Sequence, residues 1–515
     1  MISADNGQEL ESLVGRSARA LKWGYLGVSA RVILQLAAQI ALARMLGPAA
    51  FGVVAAAVLV VLIAGIVVEL GQGPALIQAA TIEAADVRNA FTRVLIATCC
   101  AVAAILLAAD LVAALFDNPQ VAPVLRWMTL ALVFQALGAV SLGLLKRNLD
   151  FRSVQIAHVT SYFVGFLLVG VGAAWLGWGE WSLVAAWIVQ AFVASAIQYA
   201  RAPHPVAPTL RPGPARLAGF GFRTVVASLA NWTIENVDNF MVGRAYSTTT
   251  LGAYSVAYSL VRTPVNHIVF ALQQVIQPFT ARSREDHETM RKAYFTLLWA
   301  VGLVTMPAFF GAAVLAPTLI DALYGSAWVE AAALLVPLAA AMPLHSVQAV
   351  GGPVLWGSER VGREIMVSIS VALALVAALA AASRISVVAM AWTVWFAYLV
   401  RAVWVTTIVS GLVRTSTLRS LSMLRGGLLV GTATAALLFA ADAAMAQVGL
   451  TALARLCASI ALGAVLLPLL ALLLARVIVP REIGAPIGHL LKRFPEPVRG
   501  YLERRVGGLA VAGER

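Results

Sequence analysis

The sequence predicts an all-α polytopic membrane protein with about fourteen transmembrane helices. Hydrophobic residues make up 61% of the 515 residues and charged residues only 12%, which is too little polar surface to cover a water-soluble globule of this size. Stretches such as 53–69, 94–109 and 460–475 are apolar on every side and approach the roughly 20 residues needed to cross a bilayer. Because lipid offers backbone amides no partner, each span is predicted to be a helix.

One phrase occurs twice, 200 residues apart. Residues 43–56 read ARMLGPAAFGVVAA and residues 243–256 read GRAYSTTTLGAYSV, so Arg44 aligns with Arg244 and Gly52 with Gly252. Each copy ends one apolar segment and begins the next. The repeat predicts two pseudo-symmetric lobes of six helices each, followed by two extra C-terminal helices.

The apolar segments and the polar turns between them give the predicted order of elements. The spans cover about 24–46, 51–71, 90–111, 124–145, 154–175, 180–200, 217–243, 251–276, 293–316, 330–355, 363–382, 386–409, 425–446 and 450–474. The predicted regions are an N-lobe at 1–200, a linker at 201–216, a C-lobe at 217–410, spans 13 and 14 within 411–478, and a basic tail at 479–515. The linker is rich in Pro and Arg and is predicted to be extended. The tail is predicted to place a short basic helix on the inner leaflet, with a solvated tail as the alternative.

The distribution of basic residues predicts the topology. If the N-terminus is cytoplasmic, 29 of the 37 Lys and Arg residues lie in the tails and even-numbered connections or at the adjoining ends of spans, and five lie in or beside the connections on the other side. This asymmetry predicts that both termini are cytoplasmic. The net charge of +13 is then explained by the anionic inner leaflet rather than by nucleic acid.

Polar residues within the predicted spans are candidates for function, because an ionisable group in the bilayer core is costly unless it faces a cavity or a partner. Span seven carries a stripe of such residues at helical spacing, and span one carries its counterpart at the same register of the repeat. The first stripe is Asn231, Glu235, Asp238 and Asn239, and the second is Arg31, Gln35 and Gln39.

Span eight places a second polar stripe opposite span seven. Tyr254, Tyr258 and Arg262 follow at intervals of four, and at about 1.5 Å per residue Glu235 and Arg262 reach nearly the same depth. We therefore predict an ion pair between Arg262 and Glu235 or Asp238, with a role in ion coupling or in lining a cavity.

Arginines in one cavity would favour an anionic cargo. Arg31, Arg262 and Arg401 are the candidates, because a guanidinium binds phosphate oxygens in bidentate fashion, and Tyr258, Gln35 and Gln39 are suited to sugars. Alternatives stay open for several of these residues. Arg31 could reach the headgroups, Arg401 could be a structural cation among aromatic residues, and Asn231 and Asn239 could be interhelical hydrogen-bonding residues.

The sequence carries no motif of an enzyme or a cofactor site. It contains no phosphate-binding loop, no HExxH and no nucleophile elbow, and its three cysteines have no metal-binding spacing. The outer loops, such as 110–123 and 321–331, are too short to hold a periplasmic catalytic domain. We therefore expect neither cofactor, metal nor catalytic residue.

Several segments resemble the polysaccharide transporter branch of the multidrug/oligosaccharidyl-lipid/polysaccharide flippase superfamily. They are ARMLGPAAFGVVAAA, ELGQGPALIQ, LLKRNLDFRSVQIAHVTSYFVG, GWGEWSLVA, NVDNFMVGRAYSTTTLGAYSVAYSLVRTP and YGSAW at 324–328. The order and spacing of these segments, from about Ser17 to Arg414, carry the resemblance. The acidic Glu235 and Asp238 depart from a strongly basic face on span seven.

The resemblance implies a two-lobed, MATE-like transporter in the bacterial inner membrane that works by alternating access. Its implied substrate is an undecaprenyl-diphosphate-linked oligosaccharide for exopolysaccharide, capsule or O-antigen synthesis. Family precedent for cationic cavity residues carries over to Arg31, Arg262 and Arg401. Candidate protein partners are a polysaccharide polymerase and a chain-length regulator. An ion-coupled multidrug antiporter of the same superfamily and a polytopic glycan polymerase are the alternatives.

Overall fold

The structure is a computed structural model that describes residues 4–69, 82–209, 218–282, 286–358 and 360–483. Within these ranges the chain is almost entirely helical and has no β-strand. The predicted surface helix of the tail, around Phe494 and Tyr501, lies outside the described residues, as do residues 210–216 of the predicted linker.

The helices follow the predicted spans closely. Their bounds are α1 Ala4–Glu69, α2 Ala84–Leu115, α3 Val121–Arg147, α4 Phe151–Trp175, α5 Glu180–Arg201, α6 Ala218–Ala245, α7 Thr248–Arg282, α8 His287–Val314, α9 Ala316–Tyr324, α10 Val329–Gly357, α11 Val361–Ala382, α12 Val387–Leu412, α13 Thr417–Ser422, α14 Arg425–Gln447, α15 Ala452–Leu473 and α16 Ala475–Ile478. Short 3-10 turns cover Ser326–Trp328 and Arg481–Ile483.

The predicted all-α fold with many membrane spans is confirmed. In the described part of the chain, eleven helices are long and apolar enough to cross a membrane. One of these, α1, contains the first two predicted spans as two helical segments, because the backbone at Gly47 (φ 72°, ψ 176°) leaves the helical conformation and the chain kinks there before Pro48. Neither α6 nor α7 is among the eleven, since both carry polar side chains along their length.

The chain packs as two compact units, Met1–Ser255 and Val256–Arg515. In the first unit α1 packs against α2 to α6, and α3 packs against α5 around the buried side chains of Leu42, Leu125 and Met128. In the second unit α8 packs against α10 and α14, and α10 packs against α12. The predicted lobe boundaries, which fall elsewhere along the chain, stay a prediction.

The last helices pack closely against the other helices of the second unit. A side chain at Gly427 of α14 would collide with the backbone of Gly302 in α8, so the two helices approach at backbone distance. The indole Nε1 of Trp299 donates to the carbonyl oxygen of Ile478 at 2.8 Å. At the opposite end of α14, Arg455 pairs with Asp442, and Thr318 of α9 hydrogen-bonds to both side chains at 2.8 Å.

The two glycines of the repeat, Gly52 and Gly252, lie at the same helix contact in the first unit, and each faces a carbonyl oxygen of the other helix. A Cβ atom on Gly52 would collide with the carbonyl oxygen of Thr248, and a Cβ atom on Gly252 would collide with the carbonyl oxygen of Pro48. Pro48 and Thr248 are themselves related by the offset of 200 residues. The repeat in the sequence is therefore a pair of matching contact surfaces, at which α1 and the beginning of α7 touch backbone to backbone.

We expect Gly252→Ala to destabilise the protein strongly. Overpacking a well-packed site usually costs about 1–3 kcal/mol, and here the obstacle is a backbone carbonyl that cannot rotate away, so the loss should reach the upper end of that range or exceed it. Thermal unfolding of the purified protein in detergent measures the effect. Gly65→Ala is the matched control, because a side chain at Gly65 of α1 meets nothing within 4 Å. Equal melting temperatures for both variants would contradict the prediction.

The first part of the predicted linker is not helical and lies against the first unit. The side chain of Ser141 donates to the carbonyl oxygen of Ala202 at 3.0 Å, and the backbone of Thr209 donates to the Oγ1 atom of Thr92 at 2.9 Å. Between them the His204 ring is buried, with ring centroids 5.1 Å from Phe91 and 5.5 Å from Tyr199. Burial lowers the pKa of His204 below its ordinary value.

This burial predicts a pH dependence for the docking of residues 202–209. Because the docked state holds His204 neutral and the undocked chain binds a proton near its ordinary pKa of about 6.5, docking is stable above that pH and weakens as the pH falls below it. Hydrogen exchange of residues 202–209 between pH 5 and pH 8 should show faster opening at the acidic end, after correction for the intrinsic exchange rate. His204→Phe keeps the aromatic packing and should remove the dependence; an unchanged pH profile in that variant would contradict the prediction.

Candidate functional site

Arg31 lies in the interior of α1, half-buried against α4. One turn earlier, Gly27 touches the side chain of Gln155. Arg31 is within electrostatic reach of His158 and Tyr162, which continue the same face of α4 from Gln155. Tyr162 is buried and stacks on Phe166, so its ring has a fixed position.

Gln35 and Gln39 occupy the next two turns of α1 after Arg31, and both are half-buried. The structure therefore keeps the three predicted residues of span one on a single stripe, at the helical spacing of four. This stripe belongs to the first unit together with Glu235 and Asp238 of α6.

Asp238 is fully buried in α6, and hydrogen bonds reach both of its carboxylate oxygens. The hydroxyl of Tyr254 in α7 donates to Oδ2 at 2.8 Å, and the backbone and side-chain nitrogens of Asn239 donate to Oδ1 at 2.8 and 3.1 Å. Such bonds offset the cost of burying a carboxylate. Glu235, one turn earlier, is half-buried.

The second unit contains a cluster of aromatic and cationic side chains from three helices. The Arg262 guanidinium lies 5.3 Å from the centre of the Tyr258 ring on α7. The hydroxyls of Tyr258 and Tyr398 are 3.2 Å apart, which joins α7 to α12 through a hydrogen bond. The ring of Tyr398 packs edge-on against His345 of α10, with centroids 5.3 Å apart.

Arg401 occupies a second cluster, one turn further along α12. Its Nη2 atom lies 3.5 Å from Oε1 of Glu364 and donates to Ser368 Oγ at 3.1 Å, both in α11. The indole of Trp356 donates to the other carboxylate oxygen of Glu364 at 3.2 Å. Arg401 and Glu364 are 3% and 8% exposed, so this is a buried ion pair. The arrangement matches the structural-cation alternative, and substrate binding by Arg401 stays a prediction.

The structure thus places Arg31, Gln35, Gln39, Glu235 and Asp238 in the first unit. It places Tyr258, Arg262 and Arg401 in the second, where His345 lies within electrostatic reach of both arginines. The predicted ion pair between Arg262 and Glu235 or Asp238 joins residues of different units and stays a prediction.

Several residues of these clusters were not predicted as functional. Glu364 and Ser368 are four residues apart in an otherwise apolar span, which is the local signal that could have revealed them. His345 and Tyr398 carry no such signal, because their position beside Tyr258 depends on the packing of α10 and α12 against α7.

Comparison with known families decides the classification. The family model described as polysaccharide biosynthesis protein matches residues 41–333, more than half of the chain. The chain belongs to the polysaccharide biosynthesis protein family. This membership confirms the predicted polysaccharide transporter branch of the flippase superfamily. It also confirms a transporter rather than an enzyme and argues against a glycan polymerase.

Curated relatives of this family member are transport and biosynthesis proteins of bacterial polysaccharides. The lipopolysaccharide biosynthesis protein WzxC of Escherichia coli (strain K12) is 23% identical over 68% of this chain and 72% of its own length. The succinoglycan biosynthesis transport protein ExoT of Rhizobium meliloti (strain 1021) is 28% identical over 61% of this chain, and the match spans only 63% of ExoT.

Solved structures show the fold. The lipid II flippase MurJ superposes with a TM-score of 0.72 at 12% identity, covering 88% of this chain and 99% of MurJ. An inward-facing multidrug resistance transporter of the MATE family superposes with a TM-score of 0.58 at 15% identity, covering 75% of this chain and 96% of the transporter. The predicted MATE-like, all-α fold is confirmed.

We expect Glu364→Gln to destabilise the second unit, because it leaves the buried Arg401 charge without its counter-ion. Removing one partner of a buried pair typically costs about 3–5 kcal/mol. Asp110→Asn is the matched control: it breaks the ion pair of Asp110 with Arg126, in which the two side chains are 77% and 42% exposed, and should cost less than about 1 kcal/mol. Thermal unfolding in detergent compares the two variants, and similar losses would contradict the structural role of the pair.

Proposed function

We propose that this protein moves an undecaprenyl-diphosphate-linked oligosaccharide from the cytoplasmic to the periplasmic leaflet of the bacterial inner membrane. The family, the names of WzxC and ExoT, and the MurJ-like fold support a flippase for polysaccharide synthesis. No covalent chemistry is needed for this step, since the substrate changes its side of the membrane and not its bonds.

The observation that carries the choice of substrate is that each unit holds an intramembrane arginine. Arg31 in α1 and Arg262 in α7 are both only half-buried; Arg262 lies over the ring of Tyr258, and Arg31 is within electrostatic reach of Tyr162. An arginine inside a membrane span is costly and marks a pathway or a partner. A diphosphate supplies the charge that a guanidinium binds in bidentate fashion, and phenol hydroxyls with Gln35 and Gln39 suit a sugar.

The proposed cycle is alternating access between two lobes, divided as the sequence predicts at 1–200 and 217–410. The diphosphate and sugar enter from the cytoplasmic side and bind the arginines, and the polyprenyl chain stays in lipid. Movement of one lobe against the other then exposes the head group to the periplasm. Both chain termini are proposed to be cytoplasmic. A polysaccharide polymerase and a chain-length regulator would act on the product.

An ion-coupled multidrug antiporter is the second candidate, and one observation favours it. Asp238 is a fully buried carboxylate in a membrane helix, which is the kind of residue that binds a coupling ion or a cationic drug. In a flippase the same carboxylate would couple an ion to transport or hold α6 against Tyr254.

Deletion of the gene tests the proposal, with lipid-linked oligosaccharide labelled separately at the two membrane faces. We expect the oligosaccharide to accumulate on the cytoplasmic face and to disappear from the periplasmic face. Arg262→Ala should insert normally but fail to restore export by at least about tenfold, since charge-assisted hydrogen bonds contribute about 1.5–3 kcal/mol. Arg126→Ala, which removes an exposed arginine, should restore it.

Three outcomes would contradict parts of this proposal. Normal periplasmic oligosaccharide in the deletion strain would overturn the flippase function. Full export by Arg262→Ala would remove Arg262 from the substrate site. Sensitivity of the deletion strain to a lipophilic cation such as ethidium, with normal periplasmic oligosaccharide, would favour the antiporter.

A further inference from the structure

Four side chains in the second unit contact one another in series, beginning at Arg262. Arg262 lies over the ring of Tyr258 at 5.3 Å, the Tyr258 hydroxyl is 3.2 Å from the Tyr398 hydroxyl, and the Tyr398 ring meets His345 edge-on at 82°. The four residues come from α7, α12 and α10, and each contact fixes one side chain against the next.

Arg262 is less buried than the other three side chains of the series. Arg262 is half-buried, whereas Tyr258 and Tyr398 are 4% and 3% exposed. Arg262 is therefore the least buried member, and the tyrosines behind it are held by packing. A long arginine side chain loses considerable rotamer freedom when it binds, so a support that orients it beforehand improves affinity without touching the ligand.

The hydrogen bond between the two hydroxyls is the decisive link. A phenol ring buried among apolar side chains can slide or tilt in its plane, and the hydroxyl at its far end is the point at which Tyr258 is attached to α12. Without the Tyr398 hydroxyl, the buried hydroxyl of Tyr258 loses this partner, and its ring loses the contact that sets its tilt beneath Arg262.

We propose that Tyr398 is a positioning residue for recognition of the substrate diphosphate, acting through Tyr258 on Arg262. This inference rests on the proposed function and deepens it. It assigns the diphosphate, rather than the sugar, to the Arg262 end of the cluster. It also assigns to α12 a part in affinity that is separate from the buried pair of Arg401 and Glu364.

Binding of farnesyl diphosphate to the full-length protein in detergent tests the inference, with the dissociation constant measured by calorimetry. Tyr398→Phe and Tyr258→Phe each remove one hydroxyl and keep the ring, and each should weaken binding about five-fold. The double variant should be no weaker than either single variant, because both changes break the same link. Farnesyl monophosphate should bind the wild type more weakly, and the variants should lose most of this preference.

The matched control is Tyr324→Phe in α9. Tyr324 is buried in the same unit, but its hydroxyl has no hydrogen-bond partner within the described residues, so its removal should leave both the dissociation constant and the phosphate preference unchanged. Melting temperatures recorded for all variants separate a loss of folding from a loss of positioning.

The possible failures are distinguishable. If Arg262→Ala abolishes binding and Tyr398→Phe leaves it within two-fold of wild type, the inference is overturned and the proposed function stands. An additive loss of about 25-fold in the double variant would also overturn it, since the two tyrosines would then act separately. If the wild-type protein does not bind farnesyl diphosphate, the proposed substrate class is overturned, and the inference with it.

Discussion

The backbone contact between Gly52 and Gly252 is the constraint on which the rest of the architecture depends. A helix pair that touches at a glycine brings a carbonyl oxygen of one helix against the glycine of the other, which restricts both the distance between the helices and their rotation. In the first unit this contact sets α1 against the beginning of α7. In a membrane such packing is especially important, because lipid is as apolar as the side chains and provides little drive for helices to associate.

Charged side chains in these helices occur in two different environments. Asp238 and Arg401 are almost fully enclosed and have several fixed partners, Tyr254 and Asn239 in one case and Glu364 and Ser368 in the other. Arg31 and Arg262 are instead half-buried beside aromatic rings. The enclosed side chains have a structural role, because their charges are satisfied within the protein. The half-buried arginines keep part of their surface accessible, and partial exposure limits the cost of desolvating their charge.

The sequence predicted the helical architecture well, because lipid makes the relation between apolar length and span direct. It predicted the all-helical membrane fold and the intramembrane polar residues at α1, α6 and α7. It could not predict that Arg401 meets Glu364, or that Tyr258 meets Tyr398 across 140 residues, since periodicity reports the face of one helix and not the identity of its neighbour. The break between the first two spans at Gly47 and Pro48 was predicted, because both residue types usually end a helix.

The helices that follow Leu412 are closely packed against the rest of the second unit. Gly302 of α8 touches Gly427, Trp299 bonds to Ile478, and Arg419 pairs with Glu482 at 3.1 Å. A chain shortened after Leu412 would lose α14 itself and would remove the groups that contact Gly302 and Trp299 of α8 and Thr318 of α9. Spans 13 and 14 lie outside the internal repeat, yet their contacts with α8 and α9 make them part of the second unit. Removing them should therefore destabilise the second unit as a whole.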